Sequence, residues 1–254
     1  MNQIQDIKMT LLDKFGIIDE PKSVDFCREA YKFLTEDAAA TDGSQSVSPA
    51  SNCNHVPKLV DLGLPSGTRW CDRNVGANSP EDYGAFFSWG NTEPHFPNRK
   101  DMDWGDVYNA FEDYSFDSDN YEKTEGYKLD GDIDIAHDAA RVNMGEPWQM
   151  PTEDQFQELY DNCTWVRKTL NGVNGYLVTS KINSNSIFFP CSGYGYGSSW
   201  YSCGGYGYYW SASFYSARRA RVLVFLSGGV NPQDVNNRYS GFAVRAVQNN
   251  VPKK

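Results

Sequence analysis

The stretch Arg221-Val222-Leu223-Val224-Phe225-Leu226 is the strongest strand signal in the sequence. β-Branched and aromatic residues favour strands, and five consecutive apolar residues are typical of a strand in a core. Similar short runs are separated by glycine, asparagine or proline; they are Tyr176-Leu177-Val178, Ser186-Ile187-Phe188-Phe189, Tyr208-Tyr209-Trp210 and Phe242-Ala243-Val244. The pattern predicts an α+β domain dominated by short strands and long loops.

Two helices are predicted inside this domain. The first is capped by Asp134, carries an apolar face and ends at Gly145. The second follows Thr152, which forms a capping box with Gln155 ahead of Phe156.

The N-terminal part of the chain predicts a separate module. Apolar residues recur at helical spacing over residues 3–15 and again after Ser23, so residues 1–36 are expected to form a small helical hairpin. Residues 37–57 have the composition of a linker, residues 58–248 form the main domain and residues 249–254 a tail. Because short helices are marginal alone in water, the hairpin must pack on the main domain or mediate oligomerisation or particle attachment through residues 3–36.

Charge is distributed unevenly along the chain. The net charge is −10, and the segment from Asp101 to Asp138 carries the whole acidic excess. Between Pro190 and Arg245 the only acid is Asp234, among arginines, tyrosines and glycines. Two surfaces of unlike chemistry are therefore expected. The overall acidity argues against a nucleic-acid partner.

Neither membrane insertion nor Sec export is expected from the sequence. No window approaches the ~18 consecutive apolar residues of a spanning helix, and the first residues lack the order of a signal peptide. We therefore expect a cytoplasmic protein as synthesised, which could be associated with a virion or delivered to a surface by a non-Sec route. The widely spaced cysteines predict free, mostly buried thiols, and Cys191 and Cys203 are close enough in sequence to pair in an oxidising space.

Several stretches resemble a known family. They are Val60-Asp61-Leu62-Gly63-Leu64-Pro65-Ser66-Gly67-Thr68-Arg69-Trp70, Phe87-Ser88-Trp89-Gly90, Trp148-Gln149-Met150-Pro151-Thr152 and Gly241-Phe242-Ala243-Val244-Arg245-Ala246-Val247. Their order and spacing over residues 58–247 are similar to those of the Fibrobacter succinogenes major paralogous domain, which is abundant in Bacteroidetes. The resemblance implies a C-type-lectin-like fold, in the broad version shared with formylglycine-generating enzyme. Its expected features are a twisted mixed sheet, two helices and long irregular loops.

The end of the domain has a narrower resemblance, to the variable regions of proteins that retroelements diversify by adenine-directed mutagenesis. Residues similar to the constant scaffold are Ala220, Leu223, Phe225, Val230, Asn231, Pro232, Arg238, Gly241, Phe242 and Val244. Residues standing where template asparagines would stand are Phe214, Arg218, Arg219, Val222, Val224, Leu226, Gly229, Asp234, Val235 and Ser240. Adenine substitution in an asparagine codon can produce each of the latter, whereas it cannot produce Gln233.

A ligand-binding surface is predicted around these variable positions. The candidate contacts are Phe214, Tyr215, Arg218, Arg219, Arg221, Val222, Val224, Leu226, Asp234, Val235, Tyr239 and Ser240. Strand alternation places Val222, Val224 and Leu226 on one face, which is either buried in a core or an exposed apolar patch edged by arginine and aromatic residues. The Tyr- and Gly-rich loops of residues 193–207 lie beside this surface as adaptable contacts, or pack their tyrosines on the domain.

Calcium is the one cofactor that the sequence suggests. Asp130, Asp132 and Asp134 offer hard oxygen ligands, but their spacing does not fit an EF-hand loop. A solvated acidic loop is the competing interpretation.

The leading hypothesis is a non-enzymatic ligand-binding protein with a diversified C-terminal surface, which would recognise a protein or cell-surface ligand and could serve in phage receptor binding. The alternatives are an oxidase or hydrolase on a fold like that of formylglycine-generating enzyme, and an undiversified adhesin. The copper-binding cysteine pair and the Arg-Gly-Gly-Ser-Trp stretch of the enzyme relatives have no counterpart here, where the region reads Gly207-Tyr208-Tyr209-Trp210-Ser211-Ala212-Ser213.

Overall fold

The computed structural model describes residues 56–97 and 110–249. The chain divides into two units, Met1–Ala50 and Ser51–Lys254, and the described residues belong to the second. The predicted hairpin over residues 1–36, nearly all of the predicted linker and the tail beyond Asn249 lie outside the described residues.

Short strands dominate the described part of the chain, which confirms the α+β prediction. The strands are β1 Leu59–Asp61, β2 Arg69–Asn74, β3 Phe86–Phe87, β4 Cys163–Leu170, β5 Val173–Ser180, β6 Ser186–Pro190, β7 Tyr194–Tyr196, β8 Ser199–Tyr201, β9 Gly207–Ser216, β10 Arg219–Leu226, β11 Gly229–Asn237, β12 Phe242–Ala243 and β13 Arg245–Gln248. The helices are α1 Ser118–Tyr121, α2 Ala139–Met144 and α3 Glu153–Asn162, with a 3₁₀ helix at Gly126–Lys128. No helix in this part of the chain is both long and apolar enough to cross a membrane.

The largest sheet has the strand order β11-β10-β9-β12-β3. The sheet is mixed. Strand β12 pairs with β9 in parallel, whereas the pairs β10–β11, β9–β10 and β3–β12 are antiparallel. Two further sheets have the orders β1-β2-β13 and β4-β5-β6, and β7 and β8 form a separate two-stranded hairpin. Pairing of β2 with β13 joins the two ends of the domain, with Val247 opposite Trp70.

Strand β10 is buried on both faces. Leu223 and Phe225 belong to one core cluster, together with Tyr209 of β9. Val222 and Val224 belong to a second cluster on the opposite face. The interpretation of the apolar run as a core strand is therefore confirmed.

Arg245 joins three strands from inside the core. It is fully buried, and its guanidinium donates to Asn74 Oδ1 at 2.9 Å, to Cys71 O at 3.2 Å and to Phe188 O at 2.8 Å. The same group lies 4.3 Å from the centre of the Phe189 ring. Hydrogen bonds to three acceptors offset the cost of burying this charge.

Helix α3 starts as predicted. Gln155 N donates to Thr152 Oγ1 at 3.2 Å, and Thr152 N donates to Gln155 Oε1 at 2.9 Å. This capping box satisfies two backbone donors that a helix start leaves without partners. Phe156 and Leu159 then bury one face of the helix.

The predicted start of α2 at Asp134 is wrong. Asp138 caps this helix instead, by accepting from Arg141 N at 2.9 Å. Asp134 accepts from Ala136 N at 2.9 Å in a local turn that precedes the helix. The predicted end is confirmed, since Gly145 takes a φ of 76°, a left-handed conformation that glycine adopts without strain.

Replacing Asp138 with alanine is expected to destabilise the domain by about 2–3 kcal/mol, because a helix cap and a buried hydrogen bond are lost together. The buried Asp138 carboxylate also accepts from Met150 N at 2.9 Å, which ties the helix to the following segment. Urea titration of the two proteins would measure the difference. Asp138→Asn keeps one side-chain oxygen and should lose less; equal losses in both variants would contradict this account.

Candidate functional site

The residues predicted as scaffold and as variable differ in burial. The buried scaffold residues are Ala220, Leu223, Phe225, Pro232, Arg238, Gly241, Phe242 and Val244. The variable positions that are exposed or partly exposed are Phe214, Arg218, Arg219, Leu226, Gly229, Asp234 and Val235. The residues that resemble a constant scaffold thus lie mostly inside, and those that resemble variable positions lie mostly at the surface.

Three of the predicted contact residues are not available to a ligand. Val222 is 0% exposed and Val224 is 4% exposed, so the exposed apolar patch proposed for this face of β10 is not formed. They share a buried cluster with Trp210 and Phe242. Ser240 is buried as well. The prediction that Val222, Val224 and Ser240 contact a ligand is therefore wrong, because all three side chains are buried in the domain.

Tyr215 and Arg221 form a group beside helix α3. The Arg221 guanidinium lies 4.7 Å from the centre of the Tyr215 ring, and Arg221 Nε lies 3.0 Å from Glu153 Oε2. Tyr215 is 50% exposed. The ion pair places the arginine over the ring, in a cation–π contact.

Arg218 and Tyr239 line a cleft of about 340 Å³. One wall comes from the acidic segment and the other from the β9–β10 turn and the end of β11. The lining residues are Ser118, Tyr121, Glu122, Tyr127, Ala217, Arg218, Asn237 and Tyr239. Within the cleft Asn237 Nδ2 donates to Tyr239 Oη at 3.0 Å, which orients the phenol. The volume lies in the lower part of the range seen for ligand pockets.

Arg238 holds the two walls of the cleft together from behind. Its Nε donates to Tyr121 Oη at 2.9 Å, and its Nη1 donates to Leu129 O at 3.0 Å and to Ala217 O at 3.1 Å. Its Nη2 donates to Gly126 O. The guanidinium also lies 4.5 Å from the centre of the Trp89 ring. The acidic segment and the arginine-containing β9–β10 turn, expected to belong to two separate surfaces, therefore meet at one buried arginine.

Phe214 lies at the same junction and is partly buried. Its ring centre is 6.1 Å from that of Trp89, and its backbone N–H donates to Asp132 Oδ1 at 2.7 Å. The side chain predicted as a contact thus packs against the wall that Arg238 anchors.

A chain of tyrosines extends from the cleft across the β7–β8 hairpin. Tyr239 is 6.0 Å from Tyr196 between ring centres, and Tyr196 is 6.4 Å from Tyr201. Tyr194 stacks on Tyr201 at 5.5 Å and meets Tyr208 at 5.0 Å. We call these five residues the tyrosine surface. Tyr196 is its most exposed member, at 51%.

The glycines fix this hairpin to the body of the domain. Gly195 and Gly241 exchange backbone hydrogen bonds of 2.7 and 2.9 Å. A Cβ atom on either residue would lie 2.6 Å from the Phe116 ring, so only glycine permits this approach. The Gly-rich segment is thus a paired strand element whose tyrosines are held in place.

His95 supports the hairpin from below. Its ring stacks on Tyr114 at 4.0 Å and meets Phe116 edge to face at 5.4 Å. Burial lowers the pKa of His95, although Glu93 and Asp113 act in the opposite direction. The folded protein therefore binds a proton at this site less readily than the unfolded chain, whose histidine titrates near pH 6.5.

The stabilising contribution of neutral His95 should be present above about pH 6.5 and be lost as the pH falls. We expect the unfolding free energy of the wild type to fall more between about pH 7.5 and pH 5.5 than that of His95→Phe, which keeps the ring stack without a titrating group. Denaturant titrations at the two pH values measure this difference. Equal pH dependence in the two proteins would contradict the assignment.

Two of the three aspartates considered for calcium accept hydrogen bonds in the structure, Asp132 from a distant strand and Asp134 within its own turn. Asp132 accepts from Phe214 N, and Asp134 Oδ1 accepts from His137 N at 3.0 Å and contacts His137 Nδ1 at 2.7 Å. Over residues 56–97 and 110–249, no group of three or more His, Cys, Asp or Glu side chains is arranged to hold a metal ion. Asp132 and Asp134 thus carry hydrogen bonds within the domain, and calcium binding by Asp130, Asp132 and Asp134 stays a prediction.

Cys71, Cys163, Cys191 and Cys203 are free thiols, as expected from their spacing. Burial raises the pKa of Cys163 and of Cys191 to about 11, and it also raises the pKa of Cys203. Protonated thiols are poor nucleophiles and poor metal ligands.

Sequence reasoning missed the wall of the cleft that carries Glu122 and Tyr127. These residues stand in a segment that looks like a solvated acidic loop, and its helices α1 and Gly126–Lys128 are too short to show a periodic pattern. The available signal was aromatic: Tyr121 and Tyr127 lie among the acids of a segment otherwise typical of a solvent-exposed loop.

Comparison of the chain with protein-family models, curated proteins and solved structures found no match.

Proposed function

We propose that this chain is a non-enzymatic ligand-binding protein whose ligand contacts the cleft and the tyrosine surface. The observation that carries the proposal is that Tyr239 belongs to both features. It lines the cleft, and its ring centre lies 6.0 Å from that of Tyr196. Together they present tyrosines, one arginine and one glutamate on a framework fixed by Arg238 and the glycine contacts. Tyrosine and arginine are the residues most enriched at energetic centres of protein interfaces.

A C-type-lectin-like fold is the architecture that we propose for the domain. Three features support it: the pairing of the early strand β2 with the last strand β13, the mixed five-stranded sheet, and the helices α2 and α3 with long irregular connections. Fold alone does not assign function, so the proposal depends on the chemistry of the surface.

Diversification of this surface is the second part of the proposal. The separation of buried scaffold from exposed variable positions supports it, because substitutions at exposed positions change stability little. Burial of Val222, Val224 and Ser240 restricts the diversified set to the turn and edge positions. The ligand is then a protein or a cell-surface structure, and receptor binding by a phage particle, with attachment through residues 3–36, is the biological setting that we propose.

The genome provides a direct test. We expect a reverse-transcriptase gene near the coding sequence and a near-copy of the codons for residues 210–245 that differs at adenines. If neither is found, diversification is refuted and the surface belongs to an undiversified adhesin.

A selection experiment tests the surface without knowledge of the natural ligand. Randomising Tyr196, Tyr201, Arg218 and Tyr239 in the displayed full-length chain is expected to yield binders to an arbitrary protein such as lysozyme. A control library of equal size at the exposed positions Thr164, Val166, Lys168 and Ile182 should yield at least tenfold fewer, because those positions border neither the cleft nor the tyrosine surface. Equal yields from the two libraries would refute the proposed binding surface.

A further inference from the structure

Strand β11 is the outermost described strand of the five-stranded sheet, so no strand of residues 56–97 and 110–249 lies beside one of its sides. Such an edge presents a row of backbone donors and acceptors on which another chain can add a strand. Helix α3 contacts β9, β10 and β11 together, so it covers a face of the sheet.

The phase of the β10–β11 ladder identifies the groups that point away from the sheet. Arg238 N donates to Arg218 O at 3.1 Å, which makes this opposed pair a hydrogen-bonded one. Hydrogen-bonded and non-hydrogen-bonded pairs alternate along an antiparallel ladder. Asn237 opposite Arg219 and Val235 opposite Arg221 are therefore non-hydrogen-bonded pairs, and their N–H groups point outward.

Each outward donor is occupied by a side chain of the same strand. Val235 N donates to Asp234 Oδ1 at 2.8 Å, and Asn237 N donates to Asn236 Oδ1 at 2.8 Å. Near the bulge in this ladder, Gln233 N donates to Asn231 Oδ1 at 3.1 Å. Pro232, between Asn231 and Gln233, has no N–H to donate.

The acceptor side of the edge is partly occupied too. Arg221 Nη1 reaches from β10 to Gln233 O at 3.2 Å. Asp234 adds a negative charge, and a second copy of the strand would bring a second Asp234 to the same edge. Occupied donors and like charges both oppose strand addition.

We propose that Asn231, Asp234 and Asn236 act as a cap that keeps β11 from pairing with the β11 strand of a second copy of this chain. A second copy is the relevant partner because identical edges can pair about a twofold axis, with each strand meeting its own sequence in the antiparallel direction. The cap lies on the strand that carries the proposed contacts Asp234 and Val235. Asn231 and Asn236 are not among the proposed variable positions, so their part of the cap remains when position 234 changes. This inference is independent of the identity of the ligand.

The test removes the cap from the full-length chain. The triple variant Asn231→Ala/Asp234→Ala/Asn236→Ala is expected to show an approximately twofold higher weight-average mass than the wild type at the upper end of a concentration series, because twofold pairing joins two units. Light scattering after size exclusion measures the mass. Hydrogen exchange should show that the Val235 and Asn237 amides become protected as concentration rises in the variant and not in the wild type.

Two matched variants make the result specific. Asp234→Asn, with Asn231 and Asn236 intact, keeps an oxygen acceptor for Val235 N and should retain the wild-type mass. Adding Val235→Pro to the triple variant should restore the wild-type mass, since proline removes the outward N–H without breaking the ladder to β10.

Three results would overturn the proposal. The first is a folded triple variant of wild-type mass whose Val235 and Asn237 amides show no concentration-dependent protection. The second is association that Val235→Pro does not reverse, which would place the contact elsewhere. The third is that a variant which does not self-associate binds a synthetic peptide of residues 229–237. The partner that β11 accepts would then be a free strand and not a second copy of the folded chain. Should the triple variant fail to fold, the same exchange measurement on Asp234→Ala alone decides between the first result and the proposal.

Discussion

Replacing Arg238 with methionine is expected to lower the free energy of unfolding by about 3–5 kcal/mol, among the largest effects of any substitution in the domain. Methionine fills much of the same volume, but it removes the guanidinium hydrogen bonds to the carbonyls of Gly126, Leu129 and Ala217. The arginine has no carboxylate partner within the described residues, so no acidic group is stranded by its removal. The lost stability therefore reflects lost hydrogen bonds and lost ring contacts.

A local measurement distinguishes this role from general core packing. In a folded Arg238→Lys variant, hydrogen exchange in residues 118–129 should be faster than in the wild type. The lysine ammonium group cannot reach all four oxygen atoms that accept from the planar guanidinium. Arg219→Met, one strand away and exposed, should change stability by less than about 0.5 kcal/mol. A methionine variant at position 238 within about 1 kcal/mol of the wild type would contradict the proposed anchoring.

Gly193→Ala is expected to destabilise the domain by about 3–5 kcal/mol and to disrupt the tyrosine surface. Gly193 has a φ of 68°, where a Cβ atom is strained, and that atom would lie 2.1 Å from the backbone oxygen of Tyr201 and 2.7 Å from Cys203 N. Backbone atoms cannot rotate away as a side chain can. The segment that carries Tyr194 and Tyr201 would have to move.

Two other glycines separate conformational strain from the clash. Gly197 and Gly204 have φ values of 57° and 70°, and nothing lies within 4 Å of a Cβ built on either. Their alanine variants should therefore lose only about 1–2 kcal/mol. Thermal or urea unfolding of the three variants gives the comparison, and similar losses in all three would show that the close contact at Gly193 contributes nothing.

Local sequence features predicted the elements that depend on neighbouring residues. The capping box of Thr152 and Gln155 and the helix end at Gly145 are both formed by residues close in sequence, and both predictions are confirmed. The start of α2 was wrong because two aspartates four residues apart satisfy the same capping pattern. A tertiary hydrogen bond from Met150 N favours Asp138, and the sequence pattern does not contain it.

The position of the candidate surface depends on contacts that sequence patterns do not contain. Strand alternation could not tell whether Val222 and Val224 face solvent, because the answer depends on packing by Trp210 and Phe242. The cleft exists because Arg238 reaches Leu129, a residue 109 positions away. A contact of that sequence separation is invisible to local periodicity. Composition marked tyrosine and arginine as notable, without placing them beside the acidic segment.

The β9–β10 turn is held through its main chain, and this has an evolutionary consequence. Arg238 binds the carbonyls of Ala217 and Arg218, so the anchor uses atoms that every amino acid possesses. New side chains at positions 218 and 219 would inherit the same turn geometry. Substitutions there could then change the surface without first regaining lost stability.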